Sequence, residues 1–165
     1  MRNSAPEKYP QVKTITDAER ISMVKEIFST ITGKYDFLNR LLSLRRDVAW
    51  RRFTARKMRF FQTNRYLDVA CGTGDLSVAA AEKHPRISVT GIDFVPEMVE
   101  AAKNKVQKKN LADRIKLMQG DALQLPFEDN SFDVAGIAFG IRNVTDIPTA
   151  LADIRRVLKP GGRFV

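Results

Sequence analysis

Two hydrophobic periods divide the chain. Up to about residue 61 the apolar positions recur at helical spacing, and from Tyr66 onward they gather into short runs separated by helical stretches. Thr16 and Glu19 have the spacing of a capping box, and behind them Ile21, Val24, Phe28 and Ile31 lie on one helical stripe. Gly33 is expected to stop that helix. A second apolar cluster follows at Tyr35, Phe37, Leu38, Leu41, Leu42 and Leu44, and Asp47 is placed to cap a third helix running through Trp50, Phe53 and Met58 toward Phe61. Residues 1–15, with two prolines and no apolar period, read as a mobile tail, and residues 16–64 as a helical cap.

From residue 65 the pattern alternates between strand and helix. Tyr66–Ala70 is a strand that ends in the turn Cys71-Gly72-Thr73-Gly74-Asp75, and a helix then runs to about Lys83, with Pro85 after it. Ile87–Ile92 is a second strand closed by Asp93. Pro96 suits the first turn of the next helix, because the amide it lacks would be unbonded there. Glu97 and Glu100 lie early in that helix and Lys103, Lys105, Lys108 and Lys109 late, an order that favours the helix dipole. Ile115–Met118 and Phe132–Phe139 are two further strands, followed by a helix with Leu151, Ile154 and Leu158 on one face. Lys159-Pro160-Gly161-Gly162 breaks it before a strand opening at Arg163-Phe164-Val165. Buried-type strands alternating with helices predict an α/β fold, a Rossmann-like doubly wound parallel sheet behind an N-terminal helical segment. Further strands are expected beyond Val165.

Composition narrows the setting. At 165 residues, 44% hydrophobic and 28% charged, the chain has the make-up of one globular domain. It has no apolar run long enough to span a bilayer and no signal-peptide pattern. One cysteine, Cys71, excludes an internal disulfide, and a single histidine, His84, argues against a His/Cys metal site, so a reducing cytoplasm is expected and no metal is required. His84, between Lys83 and Pro85 at a helix end, reads as structural. The net charge of +9 is uneven: residues 1–64 hold 14 basic and 6 acidic side chains, and residues 65–165 hold 14 and 13. Arg45, Arg46, Arg51, Arg52, Arg56, Lys57 and Arg59 concentrate the excess. Such a segment suits nucleic acid or an anionic membrane, or is simply a solvated helix face.

In an open parallel sheet ligands bind beyond the carboxyl ends of the strands. Gly72 and Gly74 fall there and let the backbone turn sharply and approach a ligand. Asp93, 19 residues after Gly74, is placed to accept both hydroxyls of a ribose. Gly120-Asp121-Ala122, with Leu125-Pro126-Phe127 beyond, is placed to meet an adenine and its amino group. Glycines alone fit NAD nearly as well as S-adenosylmethionine. Ser77 stands where a dinucleotide fingerprint has its third glycine, and Asp68 and Asp75 put negative charge where a pyrophosphate would be repelled and a cationic amino acid welcomed. Both details favour S-adenosylmethionine.

Four stretches make the similarity specific: Lys34-Tyr35-Asp36-Phe37-Leu38-Asn39, Leu67–Asp75, Gly140-Ile141-Arg142-Asn143-Val144 and Arg156–Gly162. Over roughly residues 20–165 the chain resembles the class I S-adenosylmethionine-dependent methyltransferases, and within them the quinone C-methyltransferases of menaquinone and ubiquinone biosynthesis. The resemblance implies that Thr73, Asp93, Asp121 and Ala122 contact the cofactor, with Gly72 and Gly74 shaping the loop. Ala138 departs from the serine frequent at that position. The implied substrate is a polyprenyl quinol, and the resemblance leaves a homodimer open.

Methylating carbon requires a ring carbon made electron-rich by loss of a neighbouring OH proton and held in line with the methyl. Arg142 and Asn143, after the fourth strand, are placed to reach a ring oxygen; arginine stabilises a phenolate and is not a free base at neutral pH. Tyr35 and Asp36 are the other candidates, from a cap expected to fold over the cofactor; a packed tyrosine beside a helix-capping aspartate is the structural alternative. A bilayer-resident substrate gives the basic cap a reason: peripheral contact with an anionic membrane, at its inner face. An RNA methyltransferase remains open, because Trp50, Phe53 and Phe60 interleave the arginines. With no recognisable RNA-binding module, nucleic acid is not the expected partner. A catalytically silent cofactor-binding protein is the third reading.

Overall fold

The computed structural model of the protein describes residues 16–43 and 46–165. The tail over residues 1–15, and Leu44 and Arg45, lie outside the described residues, as do the side chains of Ile21, Val24, Ile31, Tyr35, Phe37, Leu38 and Asn39. The element order is α1 (Asp17–Leu42), α2 (Arg46–Lys57), β1 (Arg65–Val69), α3 (Asp75–Lys83), β2 (Ser88–Asp93), α4 (Pro96–Lys108), β3 (Ile115–Gln119), β4 (Phe132–Gly136), a short 3-10 turn (Ile141–Asn143), α5 (Ile147–Val157) and β5 (Leu158–Phe164).

The five strands form one sheet in the order β3-β2-β1-β4-β5, all paired in parallel. The expected α/β class and parallel sheet are therefore present. The chain winds outward from β1 to β3, crosses back, and continues from β4 on the other side of β1. That reversal between β1 and β4 is where ligands bind in such sheets. Strand periodicity splits the core between the two faces. Tyr66 packs on one face with Leu76, Val78, Val89 and Val106. Leu67 and Val69 pack on the other with Ile92, Phe132, Ile154 and Val157.

Helix boundaries follow the sequence signals in part. The Thr16/Glu19 capping box forms: the Thr16 amide donates to Glu19 Oε2 at 2.8 Å and the Glu19 amide donates to Thr16 Oγ1 at 3.3 Å. Gly33 does not end α1, which runs through it for 26 residues. An isolated glycine costs a helix only about 1 kcal/mol relative to alanine, and no proline or cap supports a stop there. Asp47 sits inside the first turn of α2 rather than ahead of it, accepting from Ser43 Oγ at 2.7 Å and from Arg51 Nη1 at 2.5 Å. In α5 the buried stripe is Ala150, Ile154 and Val157; Leu151 is exposed and Leu158 begins β5. The stripe is turned because α5 is oriented by what it covers, and Asp153 and Arg156 fasten it to the loop before β4 through the Leu125 amide at 2.6 Å and the Phe127 carbonyl at 2.7 Å.

The passage from α2 into β1 is held by one carboxylate. Asp133 on β4, fully buried, accepts from the amides of Phe61, Gln62, Thr63 and Asn64 and from the Thr63 hydroxyl, at 2.8–3.3 Å. Burial works to raise its pKa, yet the Gln62, Asn64 and Thr63 amides win and hold the carboxyl below its usual range. His84 performs a related structural task, as its position implies: Nε2 lies 2.8 Å from the Ala55 carbonyl oxygen and the ring stands edge-on to Phe60.

Candidate functional site

One open cavity, enclosing about 1000 Å³ including solvent-filled space, lies at the carboxyl ends of β1, β2 and β4. Gly72, Asp93, Asp121, Ala122, Arg142 and Asn143 all line it. The sheet explains why. β1 and β2 end side by side, with Val69 opposite Ile92, so the loop carrying Gly72 meets Asp93 directly: the Gly72 amide donates to Asp93 Oδ2 at 2.7 Å, and the Val95 amide to Oδ1 at 3.0 Å. Burial raises the Asp93 pKa, opposed by the Val95, Gly72 and Phe94 amides. Asp121 closes its own turn by accepting from the Leu123 amide at 2.9 Å.

The loop after β4 approaches the loop after β1 because Gly140 has no side chain. A Cβ there would meet the Ala70 Cβ at 2.6 Å. Two residues at this junction hold left-handed backbone: Ala70 at φ +50 and Phe139 at φ +64. The other described non-glycine residues with positive φ are three asparagines, which tolerate it. Strain of about 1–3 kcal/mol per residue is thus concentrated at the cavity wall. Gly72, at φ +54, faces open space. Gly74 does not reach the cavity: at φ +80 it precedes α3, and a Cβ on it would press on Ala102 of α4 at 3.2 Å.

A second cluster lies behind the loop. Lys105 Nζ on α4 reaches Asp36 at 2.6 Å, Asp75 at 2.5 Å and Thr73 Oγ1 at 3.0 Å, and Thr73 Oγ1 donates to Asp36 at 2.6 Å. Arg51 pairs with Asp47 and lies 3.5 Å from Asp75. Thr73 and Asp36 are therefore placed in this charge cluster rather than on the main cavity wall, and the Tyr35 side chain lies outside the described residues. The expected free negative charge at Asp75 is corrected: two cations compensate it. Asp68, the other acid of that expectation, is buried on β1, accepting from Ser77 Oγ at 2.5 Å and Tyr66 Oη at 3.3 Å; burial pushes its pKa up to about 7. Cys71 is raised too, chiefly by burial and then by Asp68 and Asp93, so its thiol is inert at neutral pH. A small polar recess bordered by Arg51, Asp68, Cys71, Thr73 and Asp75 shares Ala70, Gly72 and Ala138 with the main cavity.

The expected contribution of Leu125-Pro126-Phe127 to an adenine site is also corrected. Leu125 is buried in the core, and Phe127 stands edge-on to Phe132 at 5.1 Å. The apolar wall comes instead from Ile92, Val95, Met98 and Leu123, with Phe94 and Phe139 at the edge and Phe28 reaching in from α1. Phe94 and Val95 follow Asp93 directly, so the apolar run was the available signal. Lys105 carried none: it is one lysine among several on a basic helix end.

A protein-family model described as the ubiE/COQ5 methyltransferase family matches residues 13–165. A ubiquinone/menaquinone biosynthesis C-methyltransferase UbiE of Geotalea daltonii is 48% identical over 148 residues, 89% of this chain and 63% of that protein. A demethylmenaquinone methyltransferase of Deinococcus radiodurans is 46% identical over 142 residues, 86% of this chain and 58% of that protein. The chain thus spans about 60% of the length of these curated relatives. Among solved structures, a putative S-adenosyl-L-methionine-dependent methyltransferase from Methanococcus maripaludis is similar at a TM-score of 0.65 and 26% identity, covering 94% of this chain and 65% of that one. With a parallel sheet of the matching architecture and the family model extending over nearly all of its residues, the chain belongs to the ubiE/COQ5 methyltransferase family.

Proposed function

We propose that the protein is an S-adenosylmethionine-dependent C-methyltransferase acting on a polyprenyl quinol, as the names of its relatives suggest. The observation that carries this reading is one cavity lined by Gly72, Asp93, Asp121 and Ala122 together with Arg142 and Asn143. The residues fit the cofactor: Asp93 is a carboxylate for a ribose, Ile92, Val95, Met98 and Leu123 form an apolar wall for a base, and Gly72 leaves room for close approach. S-adenosylmethionine supplies an electrophilic methyl on a sulfonium sulfur.

The chain's own contribution is placement and charge. Arg142 stabilises the quinol oxygen as it loses its proton, Asn143 orients the ring, and the proton passes to solvent because a guanidinium does not accept it at neutral pH. Holding ring carbon and methyl in near-attack geometry accounts for about 7–11 kcal/mol of barrier lowering in well-oriented systems. Thr73 and Asp36 act by fixing the glycine loop against α1, and Tyr35 comes from the same helix. The cap, over residues 16–64, rests on an anionic membrane surface through its basic helices; among the described residues no helix is long and apolar enough to cross a membrane.

Calorimetry with S-adenosylmethionine tests the foundation. Asp93→Ala is expected to weaken binding by at least tenfold, as loss of charged hydrogen bonds to two hydroxyls implies. Unchanged affinity removes the cofactor reading. Binding by the unaltered protein without methylation of a demethylmenaquinol would instead favour a silent binder or another substrate.

A further inference from the structure

Phe139 belongs to two surfaces at once. Its ring lines the cavity, yet 40% of the residue is exposed. It meets Trp50 of α2 with ring centroids 5.8 Å apart, and the Arg51 guanidinium lies 5.4 Å from its centroid. Arg51 is itself anchored to Asp47. Trp50 is 52% exposed, and Phe53, one turn further along α2, is 58% exposed. The cavity wall therefore continues onto an exposed aromatic face of the cap. Arg46, Arg52, Arg56 and Lys57 border that face, all exposed.

We propose that Phe139, Trp50 and Phe53 form the subsite for the apolar tail of the substrate, which leaves the cavity over Phe139 and runs along α2. The inference rests on the quinol reading above. A quinol ring has oxygens to match Arg142 and Asn143, whereas an isoprenoid tail offers only C–H surface, which aromatic faces accept without a hydrogen-bond partner. Adjacent exposed aromatics rimmed by charge mark an interaction surface rather than ordinary scatter. The left-handed backbone of Phe139 turns its ring to the junction between cavity and cap, and Arg51 fixes that ring by a cation–π contact. The fringe of arginines faces anionic lipid, so the track lies at the bilayer surface from which a tail would be drawn.

The test compares kcat/KM of the full chain on two quinols in detergent micelles, identical in the ring, one with a long polyprenyl tail and one with a methyl group instead. Trp50→Ala is expected to lower the long-to-short ratio by about tenfold, the loss of one aromatic contact face, while Trp50→Phe keeps most of it. Phe53→Ala, at a more exposed position, carries the same expectation should Trp50→Ala fail to fold by circular dichroism. An unaltered ratio in both alanine variants, or an equal fall on both substrates, overturns the tail subsite and leaves the quinol reading standing. No turnover of either quinol by the unaltered protein overturns both.

Discussion

Asp68 sits on the central strand with a glycine opposite it on either side, Gly91 of β2 and Gly136 of β4. Its pKa of about 7 lies well above the ordinary 3.8, with burial as the leading cause. The neutral acid therefore favours the fold: its contribution is complete below about pH 3.8 and is lost as the pH rises through about 7. A cation entering the adjoining recess reverses that preference by stabilising the carboxylate. Binding of the sulfonium cofactor is expected to release about half a proton at pH 7, with affinity rising between about pH 6 and 8. Calorimetry in buffers of differing ionisation heat measures the release, and Asp68→Asn should abolish it; a proton count of zero in the unaltered protein would separate Asp68 from the cofactor. At this scale periodicity placed Asp93 at the end of β2 and Asp121 just after β3, whereas β4 stops at Gly136, short of the expected Phe139, and Arg142 lies beyond it in the 3-10 turn. The sequence misjudged Asp75, because the charge that compensates it comes from Lys105 and Arg51 on other helices.

Between elements, the Lys105 cluster is the joint that holds α1 to the glycine loop and the start of α3. Its partners Asp36 and Asp75 are 28% and 20% exposed as side chains, so removing the cation leaves two largely buried carboxylates beside each other. Lys105→Met is expected to cost about 1–2 kcal/mol of stability, less than a fully buried pair because solvent still screens it. Urea unfolding measures this, and adding Asp36→Asn should recover part of the loss, since the repulsion goes with the charge. Additive effects would mean that the two residues do not act together. Helix existence was legible here, and so were the capped start of α1, the end of α3 at Lys83 and the start of α4 at Pro96; the end of α1 and the buried face of α5 were not. Gly33 lacked the companion signals of a true stop, and the face α5 buries was set by the sheet and by the loop before β4 that Asp153 and Arg156 grip.

For the whole molecule, the basic excess of the first 64 residues has a spatial form: α2 turns Asp47, Arg51 and Ala55 inward and leaves Arg46, Arg52, Phe53, Arg56 and Lys57 outside. Flotation with vesicles rich in anionic lipid should carry the protein upward at about 0.1 M salt and much less at about 1 M, as the Debye length falls from roughly 10 to 3 Å. Equal flotation with neutral vesicles would assign the contact to the aromatics alone, and no flotation with anionic vesicles at low salt would end the membrane reading. The alternation of buried strands and helices, the glycine turn after β1 and the acid closing β2 were determined by the sequence alone, because local periodicity and turn chemistry need no partner to be expressed. Which distant groups neutralise which was decided by the tertiary structure. Lys105 with Asp36, Asp133 with four amides, and Phe139 between cavity and Trp50 are meetings of residues 69 to 89 positions apart in the chain. Pairing at that separation depends on the order of strands and the angles of helices, and neither is written in a local stretch of sequence.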